Sequence, residues 1–409
     1  MDKKRIIYIE HYAGSPEMGM EFRPYYLSRE WVKMGYRVDI IAADYSHLRN
    51  RNPKIDHDFQ NEIIDGIHYH WIHTTTYDGN GVKRALTMAE FIGKLYLNAK
   101  NIAQKWKPDI VITSSTYPLD TYVGQRIKKY SNAILIHEIH DMWPAVLKGI
   151  YRMKRINPFV VIMQIAENSF CKHSDYVVSL QPNTKDYLMK HGMQSDKFLN
   201  VNNGVVVTEW DTLENLPDMH SDLIKKLKAE NKFIICFFGS ITISYAIDYL
   251  IRAVQKINIS QIAVIIVGEE NQYLQELKKI ARSKKSEIYF LPKVPKRAVP
   301  SLLNSIDALY VASVTGWIMQ FGISMNKLFD SMMSGKPIIY AMSAPNNYIV
   351  KYNCGISVKP ESVEALAEGI KELYFMPAEL REKLGRNGKE AVIRNFTYEK
   401  LSKKFARLF

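Results

Sequence analysis

Gly322-Ile-Ser-Met-Asn326-Lys327-Leu-Phe-Asp330-Ser-Met-Met-Ser-Gly335-Lys336-Pro337-Ile-Ile is the stretch on which the reading of this chain turns. Ser324 or Asn326 is placed to cap a helix starting near Lys327, because a short polar side chain accepts from the open N–H groups of the first turn. Gly335 ends the helix and Pro337 opens the next strand. The helix N-terminus and the Lys327 ammonium together make an anion site suited to a diphosphate. Asp330 follows one turn later, where its carboxylate could accept from ribose hydroxyls. The plainer alternative is a capped surface helix with a charged face.

Working outward, strand-length apolar runs alternate with amphipathic segments. Residues 6–9, 38–42, 110–113, 134–137 and 176–180 read as strands in the first half. Residues 233–238, 263–267, 288–291, 308–312 and 337–340 do so in the second. Segments 21–34, 89–105, 248–256, 273–283, 327–333 and 363–374 have helical spacing. Strand–helix alternation in both halves implies parallel sheets covered on both faces, an α/β architecture. The chain has 409 residues, and single cores stop growing near about 250–300, so two domains are expected. The boundary falls near 205, giving 1–204 and 205–395, with a final helix at about 396–409 free to pack back on the first domain. Segment 210–221 reads as loop.

Composition excludes several classes. Hydrophobic residues are 47% and charged residues 24%, which fits globular cores. Cys171, Cys236 and Cys354 are too scattered for a metal or redox pair, which favours a reducing, cytoplasmic setting. No apolar stretch reaches the roughly 18–20 residues of a membrane span, and the N-terminus shows no signal-peptide pattern. The net charge of +13 asks for an anionic partner. Without zinc-finger spacing or an RNA-type aromatic signature, nucleic acid is not expected. Phosphate-bearing substrates and an anionic membrane surface are.

Other motifs are weaker alone. His11-Tyr-Ala-Gly14-Ser-Pro-Glu-Met-Gly19-Met follows a strand, and its glycines could admit a ligand to backbone before the helix that carries Arg23. Phe237-Phe238-Gly239-Ser240-Ile241-Thr242 is its counterpart in the second half. His137-Glu138-Ile-His140 hints at a metal, but His137 and His140 face opposite sides of an extended strand. His68 and His70 could share a face, with no carboxylate to complete a site. Asp56-His57-Asp58 reads as solvated loop. Two basic-aromatic stretches, 83–106 and 148–159, could lie on anionic lipid or simply cover a core.

The segment around Lys327 resembles the nucleotide-sugar signature of family-4 glycosyltransferases, retaining enzymes of GT-B fold with two Rossmann-like domains facing a central cleft. It is closest to the pattern Ser-Pro-Asn-Lys-Leu-Phe-Asp-Tyr-Met-Ala-Ala-Gly-Lys-Pro of a bacterial subgroup that includes N-acetyl-L-fucosaminyltransferases of O-antigen and capsule synthesis. His140-Asp141-Met142-Trp143-Pro144, Asn203-Gly204-Val205, Val267-Gly268-Glu269 and the first βα unit from Gly19 through Arg23 to Val38 resemble subgroup segments in the same order. The resemblance implies donor contacts from Gly239, Ser240, Gly268, Gly322, Ile323, Ser324, Asn326, Lys327 and Asp330. It places Gly14, Gly19, Arg23, Asp141 and Asn203 on the cleft or acceptor side, with His140 and Lys327 as catalytic groups. Two departures stand out. Members' Glu-x7-Glu falls on Gly322 and Asp330, and the Arg and Lys after the second-domain glycine turn are replaced by Ser240 and, further on, Ala246 or its uncharged neighbours.

The implied reaction transfers a sugar from a nucleoside diphosphate, UDP in the first instance, to a saccharide, free or lipid-linked. No cofactor or metal is expected, since the helix N-terminus and Lys327 can stabilise the leaving diphosphate. A nucleotide-sugar epimerase of the same fold and a non-catalytic partner subunit are the alternatives.

Overall fold

A computed structural model describes residues 3–20, 22–77, 79, 81–149, 151–282 and 286–409. Glu21, Ile150 and Ser283, which fall within the segments 21–34, 148–159 and 273–283, lie outside the described residues, as do Met1 and Asp2. The chain divides into two compact units, Met1–Asn202 with Tyr398–Phe409, and Asn203–Thr397.

The first unit is built on β1 (Arg5–Ile9), β2 (Arg37–Ala43), β3 (Gln60–Ile64), β4 (Ile67–Ile72), β5 (Ile110–Thr113), β6 (Ile134–Ile139), β7 (Tyr176–Ser179) and β8 (Phe198–Asn200). They form one sheet in the order β3-β4-β2-β1-β5-β6-β7-β8. Every pair is parallel except β3–β4, which is antiparallel. The inner strands are buried along nearly their whole length, as expected where helices cover both faces. The C-terminal helix Tyr398–Phe405 belongs to this unit and lies on the first helix, Phe22–Lys33. Tyr398 packs on Tyr26 at 4.8 Å and Phe405 on Trp31 at 5.2 Å between ring centroids, and the Trp31 indole N–H donates to the Ser402 carbonyl.

The second unit is built on β9 (Phe233–Phe238), β10 (Ile262–Gly268), β11 (Glu287–Pro292), β12 (Ala308–Ala312), β13 (Ile338–Ala341) and β14 (Gly355–Ser357). Its sheet is parallel throughout, in the order β11-β10-β9-β12-β13-β14. Alternation splits the core into two layers. Ile234, Cys236 and Phe238 face a layer with Leu328 and Phe329, while Phe233, Ile235 and Phe237 face one with Leu250 and Leu274. All three cysteines are buried and free.

Two expectations need correction. Segment 210–221 is not all loop: a helix, Asp218–Ala229, buries His220, Ile224 and Leu227 against the sheet. The helix Asn326–Met333 has Met325 at its N-cap in extended conformation, with no side-chain cap. Neither Ser324 nor Asn326 caps it, because Ser324 is engaged elsewhere and Asn326 is already the first helical residue.

Candidate functional site

In the second unit, strand β9 ends at Phe238 and the chain turns at Gly239, whose φ of +115° lies in the region that favours glycine. Gly268 closes neighbouring β10. A Cβ added there would meet the Gly239 carbonyl oxygen at 2.5 Å, so only glycine lets the two strand ends come this close. The helix Asn326–Met333 delivers Lys327 to the same place. A Cβ added at Gly239 would lie 3.2 Å from the Lys327 ammonium. That ammonium lies 3.3 Å from the centroid of the Tyr245 ring and 4.4 Å from that of Phe237, a double cation–π contact. It is itself inaccessible and has no hydrogen-bond partner among the described residues. Burial lowers its pKa to about 7. Ser240 is exposed beside it, on the loop that carries Tyr245.

The loop before this helix is held by two asparagines. Asn346 braces Ile323 through both backbone groups, accepting from its N–H at 2.9 Å and donating to its carbonyl at 2.7 Å. Asn203 donates its backbone N–H to the Ser324 hydroxyl and its side-chain amide to the Ser324 carbonyl, each at 2.7 Å. Asn203 thus belongs to the second unit and shapes the lysine loop. Gly322, at φ +83°, turns the chain into this loop, and Asn326 is exposed at its end. Asp330 is buried and accepts from the Lys296 ammonium at 2.8 Å. Lys296, on the turn after β11, was not read from sequence. Asp330 therefore has a fixed cationic partner.

In the first unit, Arg23 is not an open ligand contact. It is buried and donates Nε and Nη2 to Glu138 Oε1 at 3.0 and 2.8 Å, and its Nη groups also hold the carbonyls of Val201 and Asn202. His140 follows the last residue of β6 and has Nε2 at 2.8 Å from the Ser114 hydroxyl and 3.1 Å from Glu138 Oε2. His137 points to the other face, stacked on Phe170 at 3.9 Å, its pKa pushed down to about 3 by burial. Asp141 is exposed next to His140. Gly14 and Gly19 serve their own loop: a Cβ at Gly14 would strike the Met20 carbonyl oxygen at 2.5 Å, and one at Gly19 the Asn50 amide at 2.3 Å. His70 does have a carboxylate, Asp39, at 2.8 Å. Arg5 shares that carboxylate, so the cluster is an ion-pair network.

Comparison with known proteins places both halves of the chain. Residues 18–209 match the family model described as Glycosyltransferase Family 4, and residues 219–391 match Glycosyl transferases group 1. An uncharacterized glycosyltransferase of Methanocaldococcus jannaschii is 25% identical over 308 residues, 74% of each chain. The crystal structure of a glycosyltransferase from Rickettsia africae ESF-5 superimposes with a TM-score of 0.71 at 18% identity, covering 100% of this chain and 98% of that one. Anabaena HepE in complex with UDP and glucose gives 0.68 at 14% identity, covering 98% of each chain. The chain joins a family 4 glycosyltransferase domain to a group 1 glycosyl transferase domain, and it is a glycosyltransferase of the GT-B type.

Proposed function

We propose that this chain moves a sugar from a nucleoside diphosphate to a saccharide hydroxyl, with the diphosphate seated on Lys327. The observation that carries this reading is the buried Lys327 ammonium, without a hydrogen-bond partner among the described residues, facing the Gly239 turn. A buried cation without an oxygen partner is costly. A diphosphate would supply that partner, and the open N–H groups of the helix first turn would add to it. UDP is the first choice of nucleotide, because the similar Anabaena structure holds UDP. The main catalytic task is to stabilise charge developing on the leaving diphosphate, which Lys327 and backbone N–H groups can do without a divalent metal. The family resemblance implies retention at the anomeric carbon, with the departing diphosphate taking the acceptor's proton, a route that needs no carboxylate at Gly322. Asp330, held by Lys296, accepts from the ribose. His140 contacts the transferred sugar. Incubation with a panel of UDP- and GDP-sugars, with released nucleotide monitored, is expected to show turnover that EDTA leaves unchanged. No release from any donor would overturn the reading. Loss in EDTA, restored by manganese, would overturn its metal-free part.

The acceptor proposed is a saccharide on a polyprenyl diphosphate, at the cytoplasmic membrane face, in bacterial surface polysaccharide synthesis. Supporting this, no helix among the described residues is long and apolar enough to cross a membrane, yet one surface of the first unit suits lipid. The helix Pro158–His173 exposes Val161, Ile162 and Ile165 along one side. Ile156, 81% exposed, and Tyr151 precede it, with Arg152, Lys154 and Arg155 exposed among them. Lys148 is not part of this surface charge, since it is half-buried and donates to Gln164 at 3.0 Å. Each surface cation near anionic lipid contributes about 1 kcal/mol. Reversing Arg152, Lys154 and Arg155 to Glu is therefore expected to weaken co-sedimentation with phosphatidylglycerol vesicles by about 100-fold or more at low salt. Wild-type protein that stays in the supernatant at low salt would refute the membrane part alone.

A further inference from the structure

The first unit holds a buried carboxylate that pairs with Arg23 on one oxygen and meets His140 on the other. Glu138 is fully buried in strand β6. Burial alone would raise its pKa, but the Arg23 guanidinium, followed by the hydrogen bond from His140, holds it well below the usual carboxylate range. Oε1 takes both Arg23 donors, and Oε2 takes the Tyr8 hydroxyl, the Ser114 hydroxyl at 2.6 Å and His140 Nε2 at 3.1 Å.

Proton counting in this cluster has one consistent solution. An ionised carboxylate only accepts. Ser114 has one proton and spends it on Glu138, leaving its oxygen to face Nε2 as an acceptor. Both neighbours of Nε2 are then acceptors, so Nε2 must carry hydrogen. Among the described residues no hydrogen bond engages Nδ1. When the ring is neutral, Nδ1 therefore carries the lone pair, the partner a sugar hydroxyl needs.

We propose that Glu138 is a positioning residue for His140: locked by Arg23, it fixes the proton on Nε2 and leaves Nδ1 to accept from a hydroxyl of the transferred sugar. This rests on the reading that His140 contacts that sugar. Nitrogen-15 NMR of the histidine side chains reads the tautomer directly. In the wild type, neutral His140 is expected in the Nε2–H form. In Glu138→Gln the amide can donate, and the Nδ1–H form should become substantially populated. Ser114→Ala, which keeps the Arg23 pair intact, should loosen the same preference and serves if Glu138→Gln does not fold. In donor turnover, Glu138→Gln should cost about 10- to 100-fold, with UDP affinity unchanged. Added to His140→Ala, it should cost nothing further, since its effect runs through the ring. A wild-type Nδ1–H ring, a tautomer unmoved by either substitution, or fully additive losses would overturn the positioning role. A His140→Ala variant that turns over donor normally would instead refute His140 as a sugar contact, whatever its tautomer.

Discussion

Replacing Lys327 with methionine or alanine is expected to weaken UDP and inorganic pyrophosphate by about 10- to 100-fold while leaving uridine binding nearly unchanged, because hydrogen bonds to a charged group contribute about 1.5–3 kcal/mol. Methionine keeps a stem to pack beneath Tyr245 and Phe237, so its loss isolates the charge. Equal loss for uridine and pyrophosphate in calorimetry, or no loss, would remove Lys327 from the diphosphate site. The ammonium also sets a pH dependence. Burial holds its pKa at about 7 in the free protein. A bound diphosphate raises it, so binding takes up a proton. Affinity should be greatest below pH 7 and fall above it, by up to about tenfold per pH unit. Titrations at pH 8 in buffers of different ionisation enthalpy should report that uptake, and Lys327→Met should abolish it. The sign for folding follows from the same depression. The unfolded chain keeps this proton up to its ordinary pKa of 10.5, so the group opposes folding most below pH 7, and that penalty is relieved as pH rises from 7 towards 10.5.

Much of this arrangement could be read in advance, for identifiable reasons. Buried parallel strands make continuous apolar runs, so β9, β10 and β12 stood out. Lys327 and Asp330 lie one turn apart on one short helix, and local spacing reveals such pairs. What escaped was set by distant partners. Phe237 and Lys327 meet across 90 residues of sequence, Asn346 reaches back 23 residues to Ile323, and Lys296 reaches 34 to Asp330. Glu138 is a different kind of miss. A carboxylate inside the run Ile-Leu-Ile-His-Glu-Ile must be paired to be tolerated there. Its partner was nameable as a basic residue, yet the two histidines beside it drew the metal question instead. The helix Asp218–Ala229 is hard to read because polar residues and Pro217 precede it, and His220 occupies one position of its apolar stripe, with Ile224 and Leu227 at the others. Buried, with Nε2 against the Pro292 carbonyl at 2.9 Å, that histidine packs like an apolar residue.

Gly268→Ala is expected to have the second large effect, on binding as much as on stability. The added Cβ would lie 2.5 Å from the Gly239 carbonyl oxygen and 2.6 Å from Ile241 Cγ1. Ile241 can change rotamer, but the carbonyl belongs to backbone, so the Gly239 turn must move. Overpacking of this kind costs about 1–3 kcal/mol, or roughly 2–12 °C in Tm at about 2–4 °C per kcal/mol for a unit of this size. Gly239 is also the wall that faces Lys327, so moving it displaces the proposed seat of the diphosphate. UDP affinity should therefore fall well below that of wild type at temperatures where the variant is fully folded. Gly385→Ala supplies the contrast. Its Cβ would lie 1.8 Å from the Gly335 carbonyl oxygen, at the other end of the helix that begins at Asn326. It should lower Tm at least as much, while the protein that remains folded binds UDP normally. If both variants lose stability and neither loses UDP affinity, the Gly239 turn plays no part in holding the diphosphate, and Lys327 must meet it from the helix alone.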